Sequence, residues 1–192
     1  GGKNPAIVTN SADLDIAMLY VESMMDLRPW GYWMPDGQPH EGTREIVALT
    51  EQVLAKHPKH PGALHMLIHL LESTSTPERA EKAADLLMPL MPAAGHMVHM
   101  ASHIYQRVGR YADAMKSNQL AIEADEDYIT QCRAQGLYPM AYYPHNIHFL
   151  WFAATYDVQS KVAFDSAQKI AAKIPDPVLA EMPRPPVNPM KM

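Results

Sequence analysis

Apolar residues recur along this chain with a helical period, and polar, proline- and glycine-rich stretches separate the runs. In TREIVALTEQVLAKH, Ile46, Leu49, Val53 and Leu54 form one stripe at 3.6-residue spacing, with Thr43 as the expected cap. LDIAMLYVESMMDL, preceded by the capping segment Ser11-Ala12-Asp13, predicts an earlier helix ending near Leu27. Between the two, RPWGYWMPDGQPHEG reads as a loop through Gly42. Pro58 and Pro61 bracket the start of HPGALHMLIHLLE, and Ser75 or Thr76 followed by Pro77 and Glu78 starts PERAEKAADLLMPL. Pro92 and Gly95 set off GHMVHMASHIYQRVGR, and Tyr111 opens YADAMKSNQLAIEADEDYI. After the looser CRAQGLYPMAYYP come HNIHFLWFAATYD and SKVAFDSAQKIAAKI. No segment alternates convincingly as a strand. The pattern predicts an all-α chain: eight helices in four antiparallel pairs over residues 11–175, after an N-terminal extension (1–10) and before a proline-rich tail (176–192).

Three of these helices carry imidazoles. His96, His99 and His103, spaced i, i+3, i+7, fall within about 60° of one another on a helix face. Met97, Met100, Ala101, Ile104 and Val108 centre on a separate, apolar face. His65 and His69 stand at i and i+4 with Glu72 one turn on, and His145 and His148 at i and i+3. The separations His65 to His99 and His69 to His103 are both 34 residues, the period of the tetratricopeptide repeat, a helix–turn–helix unit. His103 to His148 is 45, one period plus an insertion of eleven in the Gln131–Tyr143 loop. In such arrays the first helix of each pair lines a concave groove, so the expectation is a right-handed superhelical array whose histidine stripes converge.

The first helix would add Met18, Glu22 and Met25 to that groove. Glu22, His69, His103 and His148 would then share a level, with His65, Glu72, His96, His99 and His145 around them. Neutral imidazole binds zinc, copper, nickel and ferrous iron, and carboxylates join it in zinc, iron and manganese sites. One HxxxH pair is common by chance; two at a structural period, with HxxH in a third helix, carry more. The expected ligand is therefore a transition-metal ion: copper, zinc or iron. Met18, Met25, Met97 and Met100 argue for copper, the glutamates for zinc or iron. Were there catalysis, Glu72 or Glu22 would be the base beside a metal-activated water. Three other readings stay open. The histidines can form a structural hydrogen-bond ladder with Tyr105, Tyr142, Tyr143 and Glu72; the groove can take an acidic peptide or small anion; or the array can be a protein-interaction scaffold.

Composition narrows this further. A net charge of −5 and the lack of a basic patch interleaved with aromatics argue against nucleic acid as a partner. No run of 18 apolar residues occurs, so no membrane span is expected. No signal peptide is visible, and both a cytoplasmic and an exported location stay open. The single cysteine, Cys132, excludes an intrachain disulfide and a cysteine-based zinc site. The fourteen methionines read mostly as core filler. Trp30 and Trp33 read as loop anchors, Trp151 and Phe152 as core, His60 as a cap or outer ligand, and Glu123–Asp127 as an exposed helix end. Ser102 next to His103 is no nucleophile–base pair, because neighbours on a helix point about 100° apart.

The stretch HPGALHMLIHLLESTSTPERAEKAADLLMPLMPAAGHMVHMASHIYQRVGRYADA, with the later YPHNIHF, resembles a group of bacterial tetratricopeptide-repeat proteins of poorly defined function. In these, HPGxxHxxIHxxE, AGHLVHMPSHIYxRxGxY and HNxHF segments recur. LYVESMMDLRPWGYW and DGQPHEGTREI look like that group as well, so the resemblance covers residues 13 to 175. Ala101 stands where a proline is common and Met66 where an aromatic is. The resemblance implies the repeat fold and implies no reaction.

Overall fold

A computed structural model describes residues 11–133, 136 and 138–173. The expected extension (1–10), the capping side chains of Ser11 to Asp13 and the proline-rich tail (176–192) lie outside the described side chains. The helices are α1 (Ser11–Asp26), α2 (Thr43–Lys56), α3 (Pro61–Leu71), α4 (Glu81–Leu87), α5 (Gly95–His99), α6 (Ala101–Arg107), α7 (Tyr111–Cys132), α8 (Tyr143–Tyr156) and α9 (Ser160–Lys173). A 3-10 turn, Pro77–Ala80, leads into α4, and a π-helical turn, Tyr138–Tyr142, leads into α8. Among the described residues there is no strand, only an isolated bridge between Trp33 and Pro39.

Local chemistry explains the helix starts. Pro61 and Pro77 occupy first-turn positions, where a missing N–H costs nothing. His60 caps α3: its Nδ1 accepts from the Ala63 N–H at 3.2 Å, and its Nε2 lies 3.1 Å from Asp15 Oδ1. The start of α2 differs from the expectation. Gly42, at φ 84°, precedes the helix, and Thr43 is its first residue. The Thr43 hydroxyl donates instead to the Tyr32 carbonyl at 2.8 Å, tying the Trp/Pro loop to α2. Trp33 holds the other side of that loop by donating Nε1–H to the Leu70 carbonyl at 2.6 Å. The helix expected over Gly95–Arg110 is interrupted at Met100, where the His103 N–H reaches the Met100 carbonyl at i−3.

Each helix packs on its neighbours in sequence. α1 meets α2 and α3; α3 meets α4 and α6; α5 and α6 both lie on α7; α7 meets α8, and α8 meets α9. The main core joins Val21, Ile46, Val53, Leu64, Ile68, Leu71, Leu87, Ile104 and Tyr105, and a smaller one joins Ile122, Tyr143, Ile147 and Leu150. Fully burying a Leu or Ile side chain contributes about 1.5–3 kcal/mol, so these contacts hold the helices in place. Leu64, Met66, Leu67, Ile68, Leu70 and Leu71 are all buried, leaving His65 and His69 as the polar exceptions on α3. Trp151 and Phe152, expected in the core, are instead 41% and 38% exposed, because α8 turns its small residues Ala153 and Ala154 inward.

Candidate metal centre

Six histidines from α3, α5, α6 and α8 meet at one place. Their ligand atoms sort into two groups, His65 with His69 and His96, and His99 with His103 and His145; within each group they lie within 4.8 Å of one another. Either group could hold a metal ion. The rings form a continuous cluster: His69 to His103 is 5.8 Å between centroids, His96 to His99 is 6.2 Å, and His99 to His145 is 4.8 Å.

Polar neighbours set which ring nitrogen carries hydrogen. Glu72 sits between two rings, accepting from His69 Nδ1 at 3.0 Å through Oε1 and from His103 Nδ1 at 2.5 Å through Oε2. A carboxylate only accepts, so both Nδ1 atoms are N–H and both Nε2 atoms are left to act as ligands. Asn118, on α7, does the same for His99. Its Nδ2 donates to the Ala114 carbonyl at 2.8 Å, which leaves Oδ1 to accept from His99 Nδ1 at 2.7 Å. Ser102 Oγ is a more distant neighbour of that nitrogen, at 3.4 Å.

The Nε2 atoms then face one another. His99 Nε2 and His103 Nε2 are 2.9 Å apart, and His65 Nε2 and His96 Nε2 are 3.2 Å apart. Two neutral imidazoles whose Nδ1 atoms both carry hydrogen would oppose lone pairs at such a distance, and a proton or a metal ion between His99 and His103 would relieve that repulsion. Two imidazole ligands on a tetrahedral zinc with bonds of about 2.0–2.1 Å lie about 3.3 Å apart, and cis ligands on an octahedral ion about 2.9 Å apart. The separations suit two ligands on one ion, and they suit an imidazole–imidazole hydrogen bond equally. His96 Nδ1 is buried and has no hydrogen-bond partner among the described residues.

Burial disfavours protonation of His65, His96, His99 and His145. It pushes His65 down to about 3, and His96 and His145 to about 4, with neighbouring imidazoles adding to the effect. His99, fully buried, is pushed well below the ordinary histidine value by burial and by His103 and His145. For Glu72, burial works upward, but the hydrogen bonds from His103 and His69 outweigh it and hold the carboxyl at about 2. Neutral imidazole and an ionised outer carboxylate are the forms a metal site needs.

Beside the histidines lies a cavity of about 580 Å³, reached by His65, His69, His96, His103 and His145 and walled by Met25, Trp30, Tyr32, Met66 and Tyr142. Trp30, expected as a loop anchor, is 73% exposed at this rim, in a left-handed conformation (φ 56°).

Not every expected residue arrives. His148 is exposed and lies beside Trp151, its ring centroid 5.5 Å from the tryptophan's, while His145 one turn earlier faces His99 and His103. Glu22 lines the cavity but joins neither histidine group. Glu72 spends both oxygens on imidazole N–H groups, so it supports ligands rather than acting as one. Met18 and Met100 are buried in the core and Met97 packs against it, which leaves Met25 alone of the four at the cavity. The tyrosines of the expected ladder are mostly engaged elsewhere: Tyr105 donates to Asp85 and Tyr143 to Glu126, while the Tyr142 ring meets the edge of His96 at 5.1 Å.

Two residues were not anticipated from the sequence. Asn118 had a signal: it shares a 3.6-period stripe with Ala114, Ala121 and Ile122, a polar side chain at a core position of α7. Asp125, read as part of an exposed helix end, is fully buried and accepts from Tyr138 at 2.6 Å and from Asn146 at 2.7 Å. It thereby fastens the start of α8, and His145 with it, to α7. Among the described residues no helix is long and apolar enough to cross a membrane. The chain matches no protein-family model and no curated protein.

Proposed function

We propose that this chain is a tetratricopeptide-type repeat protein that binds a transition-metal ion through its clustered histidines. One observation carries the reading: His99 and His103 present Nε2 atoms 2.9 Å apart while Asn118 and Glu72 hold the hydrogens on their Nδ1 atoms. The 34-residue spacing of the histidine helices and their packing on sequence neighbours support the repeat assignment. An inner shell made of imidazole alone, with the carboxylate one step out, favours zinc or copper over iron. An ion held by three protein nitrogens keeps a coordination position for water or a ligand, and the cavity alongside gives a small molecule access to it.

The competing reading is an interaction scaffold in which the histidines are a structural ladder. It draws on the same pair, because a proton on His103, held by Glu72, would let Nε2–H donate to His99. Protein purified without a histidine tag, stripped with a chelator and titrated with zinc(II) and copper(II), separates the two. Metal binding requires uptake that survives gel filtration. A stripped, folded protein that takes up neither ion would leave the ladder standing and remove the proposal.

A further inference from the structure

We propose that the six histidines form a two-ion centre, with one ion on His65, His69 and His96 and the other on His99, His103 and His145. The inference rests on the metal-binding reading above and adds its stoichiometry and layout.

Three features lead to two ions. The ligand atoms divide into two threes, and three nitrogens are the set taken by an ion that keeps an open position. Each three also contains its own facing Nε2 pair, at 3.2 Å in the first and 2.9 Å in the second. A single ion on the first group would leave the His99–His103 pair, whose Nδ1 atoms both carry hydrogen, with its lone pairs opposed. Lastly, Glu72 takes one Nδ1–H from each group, His69 from the first and His103 from the second. One carboxylate thus orients a ligand in both groups and places its charge between them, where it offsets part of the repulsion between two cations.

The arrangement follows from the helices. α3 with α5 supplies the first group, and α5 and α6 with α8 supply the second. The middle helices therefore serve both, with His96 turned to α3 and His99 and His103 to α8. Each ion would clip two neighbouring hairpins, and members of both groups line the same cavity, so a molecule there can reach either ion. A divalent zinc or copper ion is the class of ligand that each all-imidazole group would take.

The test is a stoichiometry. Chelator-stripped full-length chain is titrated with zinc(II) and, separately, copper(II), and bound metal is counted by elemental analysis after gel filtration. Wild type should saturate at two equivalents, and His65→Ala and His145→Ala at one each, with unchanged helical circular dichroism. Glu72→Ala should weaken both ions by about 10–100-fold, because it takes the acceptor away from both imidazole N–H groups. Should a histidine variant not fold, X-ray absorption on fully loaded wild type decides instead, with three imidazoles per metal expected. Saturation of wild type at one equivalent would overturn the two-ion centre and leave single-ion binding intact. No uptake at all would overturn both. Two equivalents retained by folded His65→Ala and His145→Ala, or six imidazoles around one metal, would also overturn it.

Discussion

Asn118 controls His99, a histidine with which it shares no sequence motif. Its amide oxygen is the partner of His99 Nδ1, and its amide nitrogen is anchored on the Ala114 carbonyl, so the orientation cannot reverse without losing a buried hydrogen bond. Asn118→Ala should therefore lower metal affinity by about 10–100-fold, in the way loss of an outer partner usually does. It should also cost about 1–3 kcal/mol of stability in the metal-free protein, since the ring N–H is left buried and unpaired. Competition with a chelating indicator and urea unfolding measure the two effects. Ser102→Ala, which removes only the 3.4 Å neighbour of the same nitrogen, is the matched control and should change both far less. Equal effects from the two variants would mean that Asn118 does not set the tautomer.

At the scale of elements, the notable feature is an offset of one turn. The 34-residue period aligns His65 with His99, yet the imidazole that faces His65 is His96. Likewise His145, three residues before the aligned His148, is the one that meets His103. For His65 and His103 the nearest partner thus sits one turn earlier in the following helix, whereas His69 keeps its aligned partner, His103, at 5.8 Å between ring centroids. Part of the cause is the close seat of α5 on α7. A Cβ on Gly95 would lie 1.9 Å from Asp125 Oδ1 and 2.8 Å from the Ala121 carbonyl, so only glycine lets the start of α5 come this near. Ser117 fastens the next turn by donating to the Val98 carbonyl at 2.7 Å. Gly95→Ala should push α5 outward, lowering stability by about 1–3 kcal/mol through overpacking. Because His96 is the next residue, metal uptake should weaken as well. A thermal melt and a metal titration together check this, and an unchanged melt would show that α5 can move away from α7 without loss.

For the molecule as a whole, the buried imidazoles of His65, His96 and His145 make stability depend on acid. In the unfolded chain these rings titrate near 6.5, whereas in the fold burial pushes His65 to about 3 and His96 and His145 to about 4. Between those values the unfolded state binds more protons, so stability rises with pH in that window and is lost as pH falls through it. Glu72 acts in the same direction lower down, its contribution being present above its ordinary 4.5 and lost as pH falls toward about 2. The urea midpoint of the metal-free protein should therefore drop steadily between about pH 6.5 and 4. A His65→Ala, His96→Ala double variant should show a shallower slope. A midpoint independent of pH across this range would mean that the imidazoles are solvated in the fold. Bound metal should hold the midpoint up near neutrality and release it on acidification, since protons and metal compete for the same nitrogens.

Helical period alone places His65 beside His69 and His99 beside His103, because i and i+4 share a face in any α-helix. The all-α class and the prolines that open α3 and the 3-10 turn before α4 follow from equally local rules, as does the i, i+3, i+7 stripe on α5 and α6. What crosses between helices was not legible in this way. That His145 rather than His148 meets His99 and His103, that Glu72 bridges two rings, and that Asn118 and Asp125 reach in from α7 all depend on how far one helix slides along the next. That displacement is decided by side-chain packing and by close approaches such as Gly95 against Asp125, which no spacing within a single helix encodes.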